Sequence, residues 1–148
     1  MSESDAVFDT SALVKRYADE AGTETVDQLV DGSEETIVVT SLSVIEIASA
    51  FRRKYNRGEI TETQRDGLLV SFFEEATDRF VLVPVDEQMF ENAFDLVLED
   101  DLRTLDSLQL AAAVSLPTPN PEITFVCADK DLVEIAAHQG LSTNNPLV

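Results

Sequence analysis

The sequence is poor in cysteine, histidine and positive charge, and each shortage removes a class of protein. Cys127 is its one cysteine, so neither an internal disulfide framework nor a multi-cysteine zinc site can form. The one histidine, His138, falls late in the last helical stretch and reads as a surface residue, which discounts a Ser-His-Asp triad. No glycine-rich phosphate loop is present, against the common nucleotide-binding folds. No apolar run approaches the roughly 20 residues of a membrane helix. The start, Met1-Ser2-Glu3-Ser4-Asp5, is acidic where a signal peptide is basic. A cytoplasmic protein with no membrane association is expected.

Positive charge is the largest deficit. Lys and Arg number 10 against 29 Asp and Glu, a net charge of −19. Self-repulsion of that size disfavours the folded state in dilute buffer, whereas at about 1 M salt the screening length falls to about 3 Å. A halophilic source is the expectation. The basic residues that do occur cluster: Lys15 and Arg16, then Arg52, Arg53, Lys54 and Arg57. Cations near a helix C-terminus suit its dipole. Equally, Lys15, Arg16, Arg52 and Arg53 fit a local phosphate-holding patch on an otherwise repulsive surface.

What is abundant is apolar residues, 44% of 148, enough for one globular domain over 1–148. Short β-branched or apolar runs near 6–8, 36–40, 80–85 and 123–127 read as buried strands. Helical patterns fill 11–18, 23–30, 43–57, 61–78, 86–98, 104–116 and 129–139, and the tail after Gly140 suggests a short edge strand. Pro117, Pro119 and Pro121 mark a loop. Strands alternating with helices predict a three-layer α/β domain, a central parallel sheet of four to five strands flanked by helices.

In such a sheet every strand C-terminus and following helix N-terminus lies along one edge, where ligands bind. Asp9, Glu46, Asp106 and Asp129 all stand at or just after a predicted helix start. Each alone also fits a capping role; Ser43-Val44-Ile45-Glu46 has capping-box spacing. Asp9 resists that explanation because the strand before it is wholly apolar, and a lone buried carboxylate is costly. Together the acids predict a carboxylate group sharing one or two hard cations, Mg²⁺ or Mn²⁺ rather than zinc. Cys127 reads as a small core residue.

Placed in order, these residues resemble the PIN-domain ribonucleases, specifically the VapC-like toxins of type II toxin–antitoxin pairs. Phe8-Asp9-Thr10-Ser11-Ala12-Leu13-Val14-Lys15 is similar to the first motif of that family, and Ser43 to Ala50 around Glu46 to the second. Leu102 to Ala111 around Asp106 is similar to the third, and Val126-Cys127-Ala128-Asp129-Lys130-Asp131-Leu132 to the fourth. The resemblance implies a PIN-like fold and a metal-dependent endoribonuclease with Asp9, Glu46, Asp106 and Asp129 as catalytic, metal-holding acids. It also implies a supporting hydroxyl at Ser11, a possible extra acid at Asp131, an RNA substrate, a cognate antitoxin and a homodimer. Gln109 departs from the pattern, since relatives often carry histidine there. Two alternatives remain: a non-catalytic PIN-fold interaction protein, and a metal-dependent phosphatase. The Asp-x-Asp start of haloacid-dehalogenase-like phosphatases is missing, because Ser11 occupies the second position. For the dimer, Phe51, Tyr55, Leu68, Leu69, Phe72 and Phe73 on the helices 43–57 and 61–78 offer an apolar surface.

Overall fold

The computed structural model describes residues 4–116 and 122–148; the proline loop inferred over 117–121 lies outside them. Five strands form one sheet: β1 Ser4–Phe8, β2 Thr36–Thr40, β3 Phe80–Val83, β4 Glu122–Val126 and β5 Ser142–Asn144. All neighbours pair in parallel, in the order β3-β2-β1-β4-β5. β1 is therefore central, and successive connections run outward from it in opposite directions. The crevice between β1 and β4 is the switch point at which open parallel sheets bind ligands.

Period-two alternation divides β1 between two cores. Ala6 and Phe8 face one layer with Val26, Ile47, Phe51 and Phe72. Val7 faces the other with Met89, Leu110, Ala111 and Leu132. The first layer holds α1 Thr10–Leu13, α2 Thr23–Gly32, α3 Ser41–Asn56 and α4 Glu62–Asp78; the second holds α5 Glu87–Asp100, α6 Thr104–Ser115 and α7 Lys130–His138. With helices on both faces, the central strands β1 and β2 bury consecutive apolar residues, Ala6 to Phe8 and Ile37 to Val39. No helix among the described residues is long and apolar enough to cross a membrane.

Local boundaries differ from expectation in three places, each for a physical reason. The helix expected over 11–18 stops at Leu13 and tightens into a 3₁₀ turn, Val14–Arg16, which folds Lys15 inward. The helix expected from Ser43 begins two residues earlier, because the Thr40 hydroxyl accepts from the Ser43 N–H at 3.2 Å. β3 ends before Pro84, which has no N–H to give a ladder. The Thr61–Gln64 capping box forms as read, its two hydrogen bonds at 3.1 and 2.8 Å.

Arg16 ties the first layer together. Its guanidinium donates to Glu75 through Nε at 3.0 Å and Nη2 at 2.7 Å, to Asp31 at 2.8 Å twice, and to Asp27 at 2.8 Å. Tyr17 adds its hydroxyl to Glu75 at 2.9 Å, and Arg79 reaches Asp31 at 3.0 Å. Burial pushes the Glu75 carboxyl up, but Arg16 and Tyr17 outweigh it and hold it below the ordinary range. Hydrogen bonds from Arg16 and Arg79 hold Asp31 at about 2.

Two outcomes follow from this charge arrangement. Both carboxyl groups are depressed in the folded state, so their stabilisation is complete above the unfolded values and is lost as pH falls through the folded ones. Arg16→Gln is expected to destabilise the fold by about 3 kcal/mol at neutral pH and to flatten the acid limb below pH 4.5, measured by thermal unfolding against pH. In addition, repulsion from −19 charges outweighs the screening of these pairs, so the melting temperature is expected to rise from 0.1 M to 2 M KCl.

Candidate functional site

The polypeptide leaves β1 at Phe8 and turns into α1, and Asp9 stands at that corner. Its backbone N–H continues the ladder to the Val126 carbonyl at 2.9 Å, which clamps Asp9 beside the end of β4 at the switch point. The Asp9 side chain caps α1, accepting from Ser11 N–H at 3.3 Å and Ser11 hydroxyl at 2.5 Å. Ser11 is held in turn by the Ala128 N–H at 3.0 Å. Two segments that the sequence places more than a hundred residues apart thus share one hydroxyl.

Asp9 is only 6% exposed, and no ion pair among the described residues reaches it. Burial pushes its carboxyl up to about 6 against the pull of the Ser11 hydroxyl, with Glu46 and Asp106 adding like-charge repulsion. Cys127 lies against it, Sγ at 3.6 Å from Oδ2, and burial followed by the Asp9 charge pushes that thiol up to about 12. The thiol is therefore protonated and unreactive. Cys127 is a core residue, as read, but it also walls the Asp9 carboxylate, which its apolar surroundings did not signal.

Glu46 comes from the second turn of α3 and is half-buried. The capping box that the Ser43–Glu46 spacing also allowed does not form. Thr40 is the cap, and Ser43, wholly buried, turns its hydroxyl to Thr10 at 3.0 Å. Glu46 Oε1 instead accepts from Thr10 at 2.9 Å and from the Gln109 amide at 2.7 Å. Asp106 lies in the first turn of α6, where burial first and the charges of Asp129 and Glu46 next raise it, opposed by Arg103. Asp129 is exposed and caps α7, Oδ1 accepting from Asp131 N–H at 3.0 Å and Leu132 N–H at 3.3 Å. Asp131 is exposed in the first turn of α7.

The acids thus share one edge of the sheet and feel one another's charge. Among the described residues, however, no three of His, Cys, Asp and Glu stand close enough to form a cation cage. At this edge Asp129 Oδ1 accepts from its own helix terminus, and Glu46 Oε1 accepts from Thr10 and Gln109. The donor set still fits a hard divalent cation. It is all carboxylate oxygen, it repels itself, and its most buried member has no positive partner.

The basic residues divide. Lys15 is buried and bonds Glu20 at 2.9 Å, and Arg16 is saturated by three carboxylates. Their charge is already committed inside the first layer, so the anticipated patch loses both. Arg52 and Arg53 stay exposed on α3, Arg52 over the Tyr55 ring at 5.4 Å and Arg53 bonded to Ser49 at 2.7 Å. His138 is exposed.

No curated protein matches the sequence significantly. Solved structures do match in fold. One is a toxin–antitoxin complex from Klebsiella pneumoniae, 15% identical, with a TM-score of 0.63 over 97% of this chain and 98% of that one. Another is a protein of Pyrobaculum aerophilum, 14% identical, with a TM-score of 0.65 over 93% and 96%. The sequence profile of the PIN domain matches residues 6–138, from the middle of β1 to the end of α7. That span contains every acid that β1, α3, α6 and α7 bring to the sheet edge, and the protein belongs to the PIN domain family.

Proposed function

We propose that the protein is a Mg²⁺- or Mn²⁺-dependent endoribonuclease, the toxin of a toxin–antitoxin pair. The observation that carries the reading is Asp9. Its carboxylate is buried at the switch point, has no cationic partner among the described residues and is faced by the charges of Glu46 and Asp106. Membership of a family of nucleases and a fold shared with a toxin–antitoxin complex support it.

Asp9, Glu46, Asp106 and Asp129 would hold the cation, which supplies a lowered pKa for water and positive charge for the scissile phosphate. Ser11 orients Asp9 through its 2.5 Å hydrogen bond and stiffens the corner by accepting from Ala128. Asp131 extends the acidic edge from the first turn of α7. Arg52 and Arg53 face solvent on α3 and would hold RNA phosphates, while the acidic surface elsewhere would repel them. A phosphatase lacks comparable support, since Ser11 stands where a second catalytic acid would be needed.

Self-association belongs to the same reading, on a different surface from that first expected. Phe51 and Phe72 are fully buried, Leu68 and Leu69 pack on the core, and only Phe73 of that group is half exposed. The two most exposed phenylalanines lie on α5, where Phe90, Phe94 and Leu98 are 57%, 64% and 70% exposed at four-residue spacing, a single stripe on the face away from α6. We assign the homodimer to this stripe and the antitoxin to the acidic edge it must block, both in a cytoplasm of high salt.

Asp9→Asn is expected to lower Mg²⁺- or Mn²⁺-dependent RNA cleavage more than about a hundredfold, and EDTA to abolish wild-type cleavage. A capping role alone would leave activity intact, since asparagine caps as well as aspartate. The pH dependence separates the two independently. Asp9 titrates at about 6 in the fold against 3.8 ordinarily, so its ionisation destabilises the metal-free fold as pH rises from 4 to 6. At about 1.4 kcal/mol per pH unit that is about 3 kcal/mol. Thermal unfolding in EDTA is expected to show this loss in the wild type and not in Asp9→Asn. For the dimer, Phe94→Glu is expected to convert the sedimenting species to monomer in 2 M KCl with the fold unchanged.

A further inference from the structure

Four neutral groups behind Glu46, Thr40, Ser43, Gln109 and Thr10, form a buried chain whose proton directions follow from its contacts. Thr40 and Ser43 are 0% exposed, Gln109 1% and Thr10 9%, and no buried side-chain nitrogen or oxygen among the described residues lacks a partner. The Thr40 oxygen accepts from the Ser43 N–H at 3.2 Å, so its own proton goes to Gln109 Oε1, also at 3.2 Å. This sets the orientation of the amide: oxygen toward Thr40, nitrogen toward Glu46. The amide nitrogen then has two protons for three acceptors, Glu46 Oε1 at 2.7 Å, Ser43 Oγ at 2.9 Å and Thr10 Oγ1 at 3.1 Å. The two shorter contacts take them. Ser43 passes its proton to Thr10 at 3.0 Å, and Thr10 passes its own to Glu46 Oε1 at 2.9 Å. Every proton has one acceptor, and the chain ends with two donors on one oxygen of Glu46.

A flipped amide would set its oxygen against the carboxylate, leaving the Thr40 proton facing N–H. The Thr40 bond to Gln109 therefore acts on Glu46 at one remove. None of the relaying groups carries a charge, so they orient Glu46 without cancelling its charge. The network also crosses the sheet edge, joining α6 to α1 and α3, the elements that carry Asp106, Asp9 and Glu46.

We propose that Gln109 is a positioning residue, holding Glu46 Oε1 in one orientation so that the carboxylate is preset for a divalent cation. This rests on the nuclease reading for its consequence but is measurable without it. Titration of purified protein with Mn²⁺, followed by the spectroscopic signal of the free ion, is expected to show about tenfold or more weaker binding in Gln109→Met. With RNA, kcat should fall in step and KM change little. Gln109→His keeps a ring N–H for Glu46 and is expected to recover most of the affinity. In a Glu46→Gln background the Gln109→Met change should weaken Mn²⁺ no further, whereas a purely structural role predicts the same loss in both backgrounds. Should Gln109→Met fail to fold, Ser43→Ala removes an acceptor of the amide but leaves the backbone cap on Thr40, and is expected to weaken Mn²⁺ in the same direction. Unchanged Mn²⁺ affinity in the folded variant, an equal loss in the Glu46→Gln background, or a wild type that binds no Mn²⁺ overturns the proposal. Gln109-sensitive Mn²⁺ binding without RNA cleavage would overturn the nuclease reading alone.

Discussion

A central parallel strand with helices on both faces has nowhere to put a charge except at its ends. β1 lies between β2 and β4, and Ala6, Val7 and Phe8 are completely buried. The first residue beyond them, Asp9, is still almost wholly out of water. Ionising a carboxyl there works against desolvation, and the Ser11 hydroxyl offsets only part of that cost. The surrounding site is arranged around this unresolved charge: a protonated thiol on one side, a hydroxyl clamp on another, and further acids along the edge.

The two layers deal with charge in contrasting ways. In the first, Arg16 gathers Glu75, Asp31 and Asp27 into a network in which every carboxylate meets a cation. At the sheet edge, by comparison, Asp9 meets only other acids and neutral donors. Paired carboxylates bind the helices of one layer together, while at the edge burial first and neighbouring acids next push Asp9 and Asp106 up. The same sequence, at −19, thus pairs its acids with cations in one place and leaves them among neutral donors in another.

Neutral groups decide how the edge is held. Among the described residues Glu46 is tethered not by arginine or lysine but by Thr10 and Gln109, whose amide is itself oriented by Thr40. A cation in that position would compete with any metal for the carboxylate. An amide supplies direction without cancelling the charge. Asp129, restrained by two backbone N–H groups of α7, is likewise oriented but not neutralised.

Local chemistry determined a large part of this in advance. The β-branched run at 36–40, the cap residues and the alternation of strand and helix patterns depend on near neighbours, so the parallel architecture and the placing of Asp9, Glu46, Asp106 and Asp129 near helix starts are legible in the sequence. The fifth strand and the Thr61 capping box were legible for the same reason. What tertiary structure decided is which side chain meets which. Ser43 has capping-box spacing to Glu46 but is buried against Thr10 and Gln109, because Thr40 caps the helix first. Lys15 and Arg16 resemble an open basic patch until the 3₁₀ turn swings them onto Glu20, Glu75 and Asp31. Helical period identifies an apolar stripe but not its neighbour, so Phe72 went inside and Phe94 outside. Short-range patterns fix the backbone's periods; long-range packing alone determines the partners of a charge, and so the character of the site.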